Sequence, residues 1–286
     1  MPNRSRSVVP FVVASVAAIL EMASGGPRPA NGDEPRPVQA LLILGGCCHD
    51  YKEQQQIVTR GISARANVQW AIAYDPDTTT RHLNPWYEKD DWAKGFDVVV
   101  HDECCSDVKD LKIVEKILKP HRDGLPAVIL HCGAHSYRSE GYPKATPWFD
   151  FTGLASTGHG PQVPIEVSFV DGDSPITRGM KGWKTEKEEL YNNIAGKLLE
   201  TAHPLATGTQ VLNADKGTAS QTTAVCVWTN KYNGKTNVFA TTLGHNNVTV
   251  ADDRYLDLVA RGLLWSVGKL DDAHLKPAAK VLIDDK

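Results

Sequence analysis

Apolar residues fall along this chain in short runs, each broken by glycine or by a cluster of polar residues. Residues 39–44 (QALLIL), 68–73, 96–101 (FDVVVH) and 126–130 (PAVIL) are runs of this kind and predict four strands. Between them the period changes. Residues 51–66 carry Ile57, Ile62 and Ala66 among polar positions. Residues 108–118 bring Val108, Leu111, Ile113, Val114, Ile117 and Leu118 near one face, so both segments read as amphipathic helices. Strands that are apolar throughout, rather than alternating, belong in a parallel sheet covered on both faces. The expected fold is therefore α/β and flavodoxin-like, a parallel sheet sandwiched by helices.

Beyond about residue 150 the rhythm loosens. Residues 163–170, 224–228 and 238–243 read as further strands and 254–267 as a closing helix, while the polar middle predicts a loop-rich insertion over the site. The amino terminus follows other rules. Arg4 and Arg6 precede an apolar run at 8–20 and then Ala23, Ser24, Gly25 and Gly26, the pattern of a secretory signal peptide over 1–25. That run, interrupted by Pro10, is shorter than the roughly 20 residues of a spanning helix, although a permanent anchor is the alternative. A proline-broken linker over 26–38, a domain over 39–268 and a charged tail over 269–286 complete the division. Export predicts a periplasmic or extracellular protein, with no membrane contact once the signal is removed.

Composition narrows the choice. The formal charge of −3 is too weak and too mixed for a nucleic-acid partner. With 41% hydrophobic and 23% charged residues, the chain is neither wholly disordered, collagenous nor multiply membrane-spanning.

In an open parallel sheet, ligands sit at the carboxyl ends of the strands, so the residues that follow each strand should share one crevice. Here those residues are Gly45, Gly46, Cys47, Cys48, His49 and Asp50; His101, Asp102, Glu103, Cys104 and Cys105; and His131, Cys132, Gly133, Ala134 and His135. His131 and His135 are four apart, the interval of paired ligands on a helix face and equally of two hydrogen-bonded boundary residues. Gly158-His159-Gly160, Gly244-His245-Asn246 and the carboxylates Glu188 and Glu189 join the set. The adjacent pairs Cys47, Cys48 and Cys104, Cys105 lead to a disulfide between the two loops, with metal ligation and simple burial as alternatives. Trp148, Trp183 and Trp228 either stack on a sugar or fill the core. Within the charge run at 184–189, a solvated face otherwise, only Glu189 is a site candidate.

Six motifs carry a family resemblance: GGCCHDY at 45–51, HCGAHSYR at 131–138, GHG at 158–160, SPITRG at 174–179, EELY at 188–191 and LGH at 243–245. In this order they resemble the ThuA-like, or trehalose-utilisation, family over about residues 39–268. The resemblance implies a flavodoxin-like fold related to class I glutamine amidotransferases, and a role in carbohydrate catabolism. Those enzymes set a cysteine nucleophile on a G-x-C-x-G elbow and activate it with a histidine followed two residues later by glutamate. At 129–133 this chain has His131 in the nucleophile position and Cys132 one step beyond, and Asn247 follows His245. Glutamine hydrolysis is not expected. Cys132 then reads as a buried or bridged thiol, or as a redirected nucleophile.

Imidazoles with one carboxylate suit a divalent ion, zinc first, which can polarise a carbonyl or acidify water. His49, His159 and His245 are the expected ligands, and Glu189 the expected general base. His131 and His135 are expected as catalytic groups, further ligands or hydrogen-bonding partners of sugar hydroxyls. Asp50, Arg138 and Tyr191 are expected to contact the substrate, a sugar or its keto form undergoing isomerisation, elimination or hydrolysis. A non-catalytic carbohydrate-binding or scaffold protein and a cysteine-dependent hydrolase are the alternatives. All of this requires imidazoles far apart in sequence to meet in one pocket.

Overall fold

A computed structural model of the chain describes residues 35–192, 198–213, 218–278 and 283–285. The expected signal at 1–25, and the linker up to residue 34, lie outside the described residues. The strands are β1 (Val38–Gly46), β2 (Val68–Asp75), β3 (Val98–Cys104), β4 (Ala127–Leu130), β5 (Val163–Phe169), β6 (Trp183–Glu188), β7 (Ala202–Leu212), β8 (Ser220–Tyr232), β9 (Thr236–Thr241) and β10 (Ile283–Asp285). They form one sheet in the order β10-β2-β1-β3-β4-β9-β8-β7-β5-β6. Strands β10 through β9 in that order run parallel, and β8, β7, β5 and β6 continue antiparallel. The β2-β1-β3-β4-β9 core is the flavodoxin-like arrangement.

Period-two alternation divides the core. In β1, Leu42 and Leu44 face helices α1 (Tyr51–Ser63) and α4 (Asp253–Ser266), where they meet Val58, Ile62, Leu256 and Leu263. Leu41 and Ile43 face the other side, against Val114, Ile117 and Leu118 of α2 (Leu111–Arg122) and Trp148 and Phe151 of α3 (Pro147–Thr152). Burial of each large side chain contributes about 1.5–3 kcal/mol, so this two-sided layering holds the carboxyl ends of β1, β3, β4 and β9 in fixed register. Among the described residues, no helix is long and apolar enough to cross a membrane.

The middle of the chain departs from the expected loop-rich insertion. Strands β5 to β8 build the antiparallel half of the sheet, and the charge run at 184–188 is its edge strand. Trp183, Thr185 and Glu188 point inward while Lys184, Glu186 and Lys187 face solvent, which marks a strand with one wet face. Pro204 and Gly208 hide β7 from a reading by propensity, and its ladder is irregular beside Pro204.

Close backbone approach sets where the crevice opens. Gly46 ends β1 at φ +93°, and a Cβ there would lie 2.4 Å from the carbonyl oxygen of Cys104 on the neighbouring strand. Gly46→Ala is therefore expected to cost more than about 2 kcal/mol of unfolding free energy. Gly172→Ala, at a glycine with open space around it, should stay within about 0.5 kcal/mol; urea denaturation of the two variants checks the contrast.

Candidate active site

Four strand ends supply the site. Beyond β1 come Cys47, Cys48 and His49, and then Asp50, which caps α1 by accepting from the Glu53 N–H at 3.2 Å and also accepts from Asn247 Nδ2 at 3.0 Å. Beyond β4 the chain turns sharply, with His131 at φ +41°, and enters a 3-10 turn over His131–His135. A non-glycine residue at positive φ is strained and persists only where its surroundings dictate it. Here they do: Gly133 packs so closely on β3 that a Cβ would lie 2.6 Å from the His101 carbonyl oxygen. Trp148 Nε1 holds the Gly133 carbonyl at 2.8 Å. Beyond β9 lies His245, whose N–H donates to the buried Glu188 carboxylate at 3.0 Å. Beyond β6, Glu189 turns away from Glu188 and into the crevice. Tyr191 then pairs with the segment at His159, and Asn192 Oδ1 accepts from the N–H groups of Thr157 and Gly158.

Glu189 is the centre of this convergence. Its Oε2 lies 3.2 Å from His245 Nδ1, 3.5 Å from His131 Nε2 and 3.5 Å from His159 Nε2. Gln162 Nε2 donates to the other oxygen at 3.1 Å. Two of the imidazoles are tethered from behind. His131 Nδ1 lies 2.7 Å from the Thr242 carbonyl oxygen, and His159 Nδ1 lies 2.9 Å from that of Gly160. A carbonyl only accepts, so each Nδ1 carries the proton, and in a neutral ring the Nε2 lone pair then faces Glu189. Lone pairs opposed to a carboxylate oxygen repel unless a positive charge lies between them.

The electrostatics follow the same logic. Burial pushes the His131 pKa down, and the Glu189 carboxylate and the Thr242 hydrogen bond only partly restore it. Burial also opposes charge on His245, but the adjacent Glu189 outweighs it and raises that pKa. For Glu189, burial acts upward, yet His131 and His245 together hold the carboxyl well below the usual carboxylate range. A carboxylate held so low is a weak base, so Glu189 fits a ligand or charge partner better than the expected general base. His135 is driven well below its ordinary value by burial and by Arg138, and stays neutral. Its Nδ1 has no hydrogen-bond partner.

The other expected residues fall as follows. His49 stacks edge-on to His131 and His245, each at 4.7 Å between centroids, but turns Nε2 towards Cys132 Sγ at 3.0 Å rather than towards Glu189. The carboxylate of Asp50 is occupied by capping. Tyr191 is fully buried: its hydroxyl lies 3.2 Å from His131 Nε2 and its ring stacks on His135, so it braces imidazoles rather than meeting a ligand. Arg138 Nε donates to the His135 carbonyl at 3.1 Å. Arg138, His49, His135, His159, Glu189 and His245 line a cavity of about 490 Å³, within the range of small-molecule sites.

Two expectations are corrected. His101 and Glu103 do not join the crevice, because β3 runs on to Cys104. They lie inside the opposite layer, where Glu103 Oε1 is 2.8 Å from His101 Nδ1 and accepts from Tyr87 at 2.6 Å. The disulfide does not join the two loops; it links Cys47 to its neighbour Cys48. Cys104 and Cys105 point to opposite faces of the sheet, so only Cys104 can meet that loop. Trp148, Trp183 and Trp228 are all core residues. Cys132 is a free, buried thiol. Its hydrogen bond with Cys104, and then burial, push its pKa well up, which argues against an activated nucleophile. Glu188, Gln162 and Asn192 position Glu189 and the imidazoles through hydrogen bonds that leave no signal in spacing.

The fold and the crevice define an α/β protein of flavodoxin-like architecture with an imidazole–carboxylate centre at the strand ends. The chain belongs to the ThuA family, described as trehalose utilisation, whose model matches residues 42–266. It is similar in structure to a putative ThuA-like protein from Parabacteroides merdae, with a TM-score of 0.61 and 18% identity, covering 82% of this chain and 91% of that one. A second putative ThuA-like protein, from Bacteroides uniformis, gives a TM-score of 0.59 and 16% identity over 85% and 96% of the two chains. No curated protein matches. The family supports a carbohydrate-related role.

In chelator-treated protein, the His245 ion pair stabilises the fold at low pH, and this contribution is lost as pH rises through a pKa above the ordinary 6.5. Glu189→Gln removes the main partner and leaves burial against the remaining pull of Glu188, so the His245 pKa should fall; an imidazole titration by NMR reads the change.

Proposed function

We propose that the chain is an exported protein that holds a divalent ion, zinc by preference, at His131, Glu189, His245 and His159 and acts on a sugar by isomerisation, elimination or hydrolysis. The observation that carries this reading is the pair of Nδ1-tethered imidazoles whose Nε2 lone pairs face one carboxylate oxygen. The donors fit such an ion: those of His131, Glu189 and His245 lie within 4.8 Å of one another. A second ring nitrogen bound to a carbonyl is the arrangement that orients imidazole ligands. What the ion supplies when bound is polarisation of a substrate carbonyl, or a water with a pKa near 7.

The remaining steps fall to side chains around the cavity. His135, held neutral by burial and lining the cavity, hydrogen-bonds a sugar hydroxyl. Arg138 orients a hydroxyl or keto oxygen. The Thr242 carbonyl keeps His131 in one tautomer, and the Tyr191 ring packs beside it. A second cleft of about 530 Å³ shares His159 with the cavity and presents Asn192, Thr207, Thr222 and Thr223. Amide and hydroxyl groups without formal charge suit a neutral sugar ring, so the two clefts together accommodate a disaccharide. The basic-then-apolar segment ending in small residues near position 25 supports export.

Metal analysis after reconstitution with zinc should give about one ion per chain. His131→Ala, Glu189→Gln and His245→Ala should each weaken retention more than about 100-fold, beyond the 10–100-fold effect of outer-shell changes. Arg138→Ala should keep the ion and lose sugar binding. A native protein without metal, or variants with unchanged content, would reject the assignment. Turnover is screened with trehalose and its keto derivatives; binding of a sugar with no product marks a carbohydrate-binding protein instead.

A further inference from the structure

Beside the imidazole centre, four sulfurs make a continuous line that the proposed chemistry does not use. Cys48 is exposed and bonded to Cys47, which is half-buried. Cys47 Sγ lies 3.4 Å from Cys104 Sγ, and Cys104 Sγ lies 2.9 Å from Cys132 Sγ. Cys104 and Cys132 are both 5% exposed. At the inner end, Cys132 Sγ is 3.0 Å from His49 Nε2 and 3.5 Å from the Tyr191 hydroxyl. These contacts are shorter than ordinary sulfur packing and lie between that and a bond of about 2 Å. Cys226, the remaining thiol on this side of the sheet, instead donates to the Ala206 carbonyl at 3.7 Å.

We propose that Cys47, Cys48, Cys104 and Cys132 form an internal thiol–disulfide exchange centre that moves one disulfide between the exposed adjacent pair and the buried pair at the imidazole site. Cys104, as thiolate, forms a bond to Cys47 Sγ. The Cys47–Cys48 bond breaks, its electron pair leaves on Cys48, and Cys48 takes up a proton. Cys132 passes its proton to His49 Nε2, 3.0 Å away, and forms a bond to Cys104 Sγ; the Cys47–Cys104 bond breaks, and Cys47 leaves and takes up a proton. Two electrons and two protons pass from the Cys104, Cys132 dithiol to the Cys47–Cys48 disulfide, and no outside reagent is consumed. Fixed contact replaces the collision that an intermolecular exchange requires. Cys48 is the exposed member of the four, so small dithiols and disulfides enter or leave there. With its sulfur bonded to Cys104, Cys132 no longer holds a proton for His49, and that imidazole is released to the cavity.

The test is disulfide mapping of the whole protein: incubation, acid quench, alkylation under denaturing conditions and peptide mass analysis. Two populations are expected. One carries the bridge at Cys47–Cys48 with Cys104 and Cys132 alkylated, and the other has the reverse pattern; Cys105 and Cys226 are alkylated in both. Cys104→Ser should collapse the mixture to the Cys47–Cys48 bridge, whereas Cys226→Ser should leave the ratio unchanged. Cys48→Ser leaves the buried residues intact, and its oxidation with glutathione disulfide should yield a Cys47–Cys104 or Cys104–Cys132 bridge. A single population bridged at Cys47–Cys48 at every incubation time overturns the proposal. So does a Cys48→Ser protein that forms only a glutathione adduct at Cys47. Neither result bears on metal retention, which is read separately.

Discussion

A carboxylate taken out of water loses its hydration and must recover that energy from close positive or donor groups. Glu189 is only 5% exposed and is surrounded by nitrogens of His131, His159 and His245. The site exists because these four side chains need one another. Remove the carboxylate and the imidazoles face each other without compensation; remove the imidazoles and a buried charge is stranded.

Holding that arrangement falls to two kinds of constraint. The parallel half of the sheet fixes His49, His131 and His245 through strand ends whose register is locked by core layers on both faces. Its elbow is strained at His131 and is kept in place by the close packing of Gly133. The antiparallel half contributes Glu189, Tyr191 and His159 as a connected unit, tied by Asn192 and by the bridge between His159 and Tyr191. Glu188 joins the halves: its buried carboxylate accepts from the backbone of His245. Adjacent glutamates thus do opposite work, one fixing a loop and the other facing the cavity, because neighbouring side chains diverge.

The sequence made much of this visible. Continuous apolar runs revealed β1 to β4 and β9, and the polar residues after them marked the crevice, including His131 and His245, while His159 was marked by the glycines on either side of it. What escaped has physical causes. β6 alternates Lys184 and Glu186 with inward Trp183 and Thr185, and in a one-dimensional reading such a strand resembles a hydrated charge run. β7 contains Pro204 and Gly208, which argue against a strand unless its partners are known. β3 runs three residues past its apolar run, which keeps His101 inside the sheet, and Cys104 and Cys105, adjacent in sequence, face opposite sides of it. Which histidines share a carboxylate, and through which nitrogen, depends on carbonyls such as that of Thr242, and no spacing encodes these.

The position of β6 at the rim of the sheet has a further consequence. Rim strands are held by a ladder on one side only, and outer segments exchange their amides through local opening long before a core unfolds. Glu189 follows directly from such a strand, whereas His131 is anchored deep in the parallel half. Glu189 therefore rests on the less protected half of the sheet and His131 on the more protected one, so competence at the crevice and integrity of the fold depend on different elements.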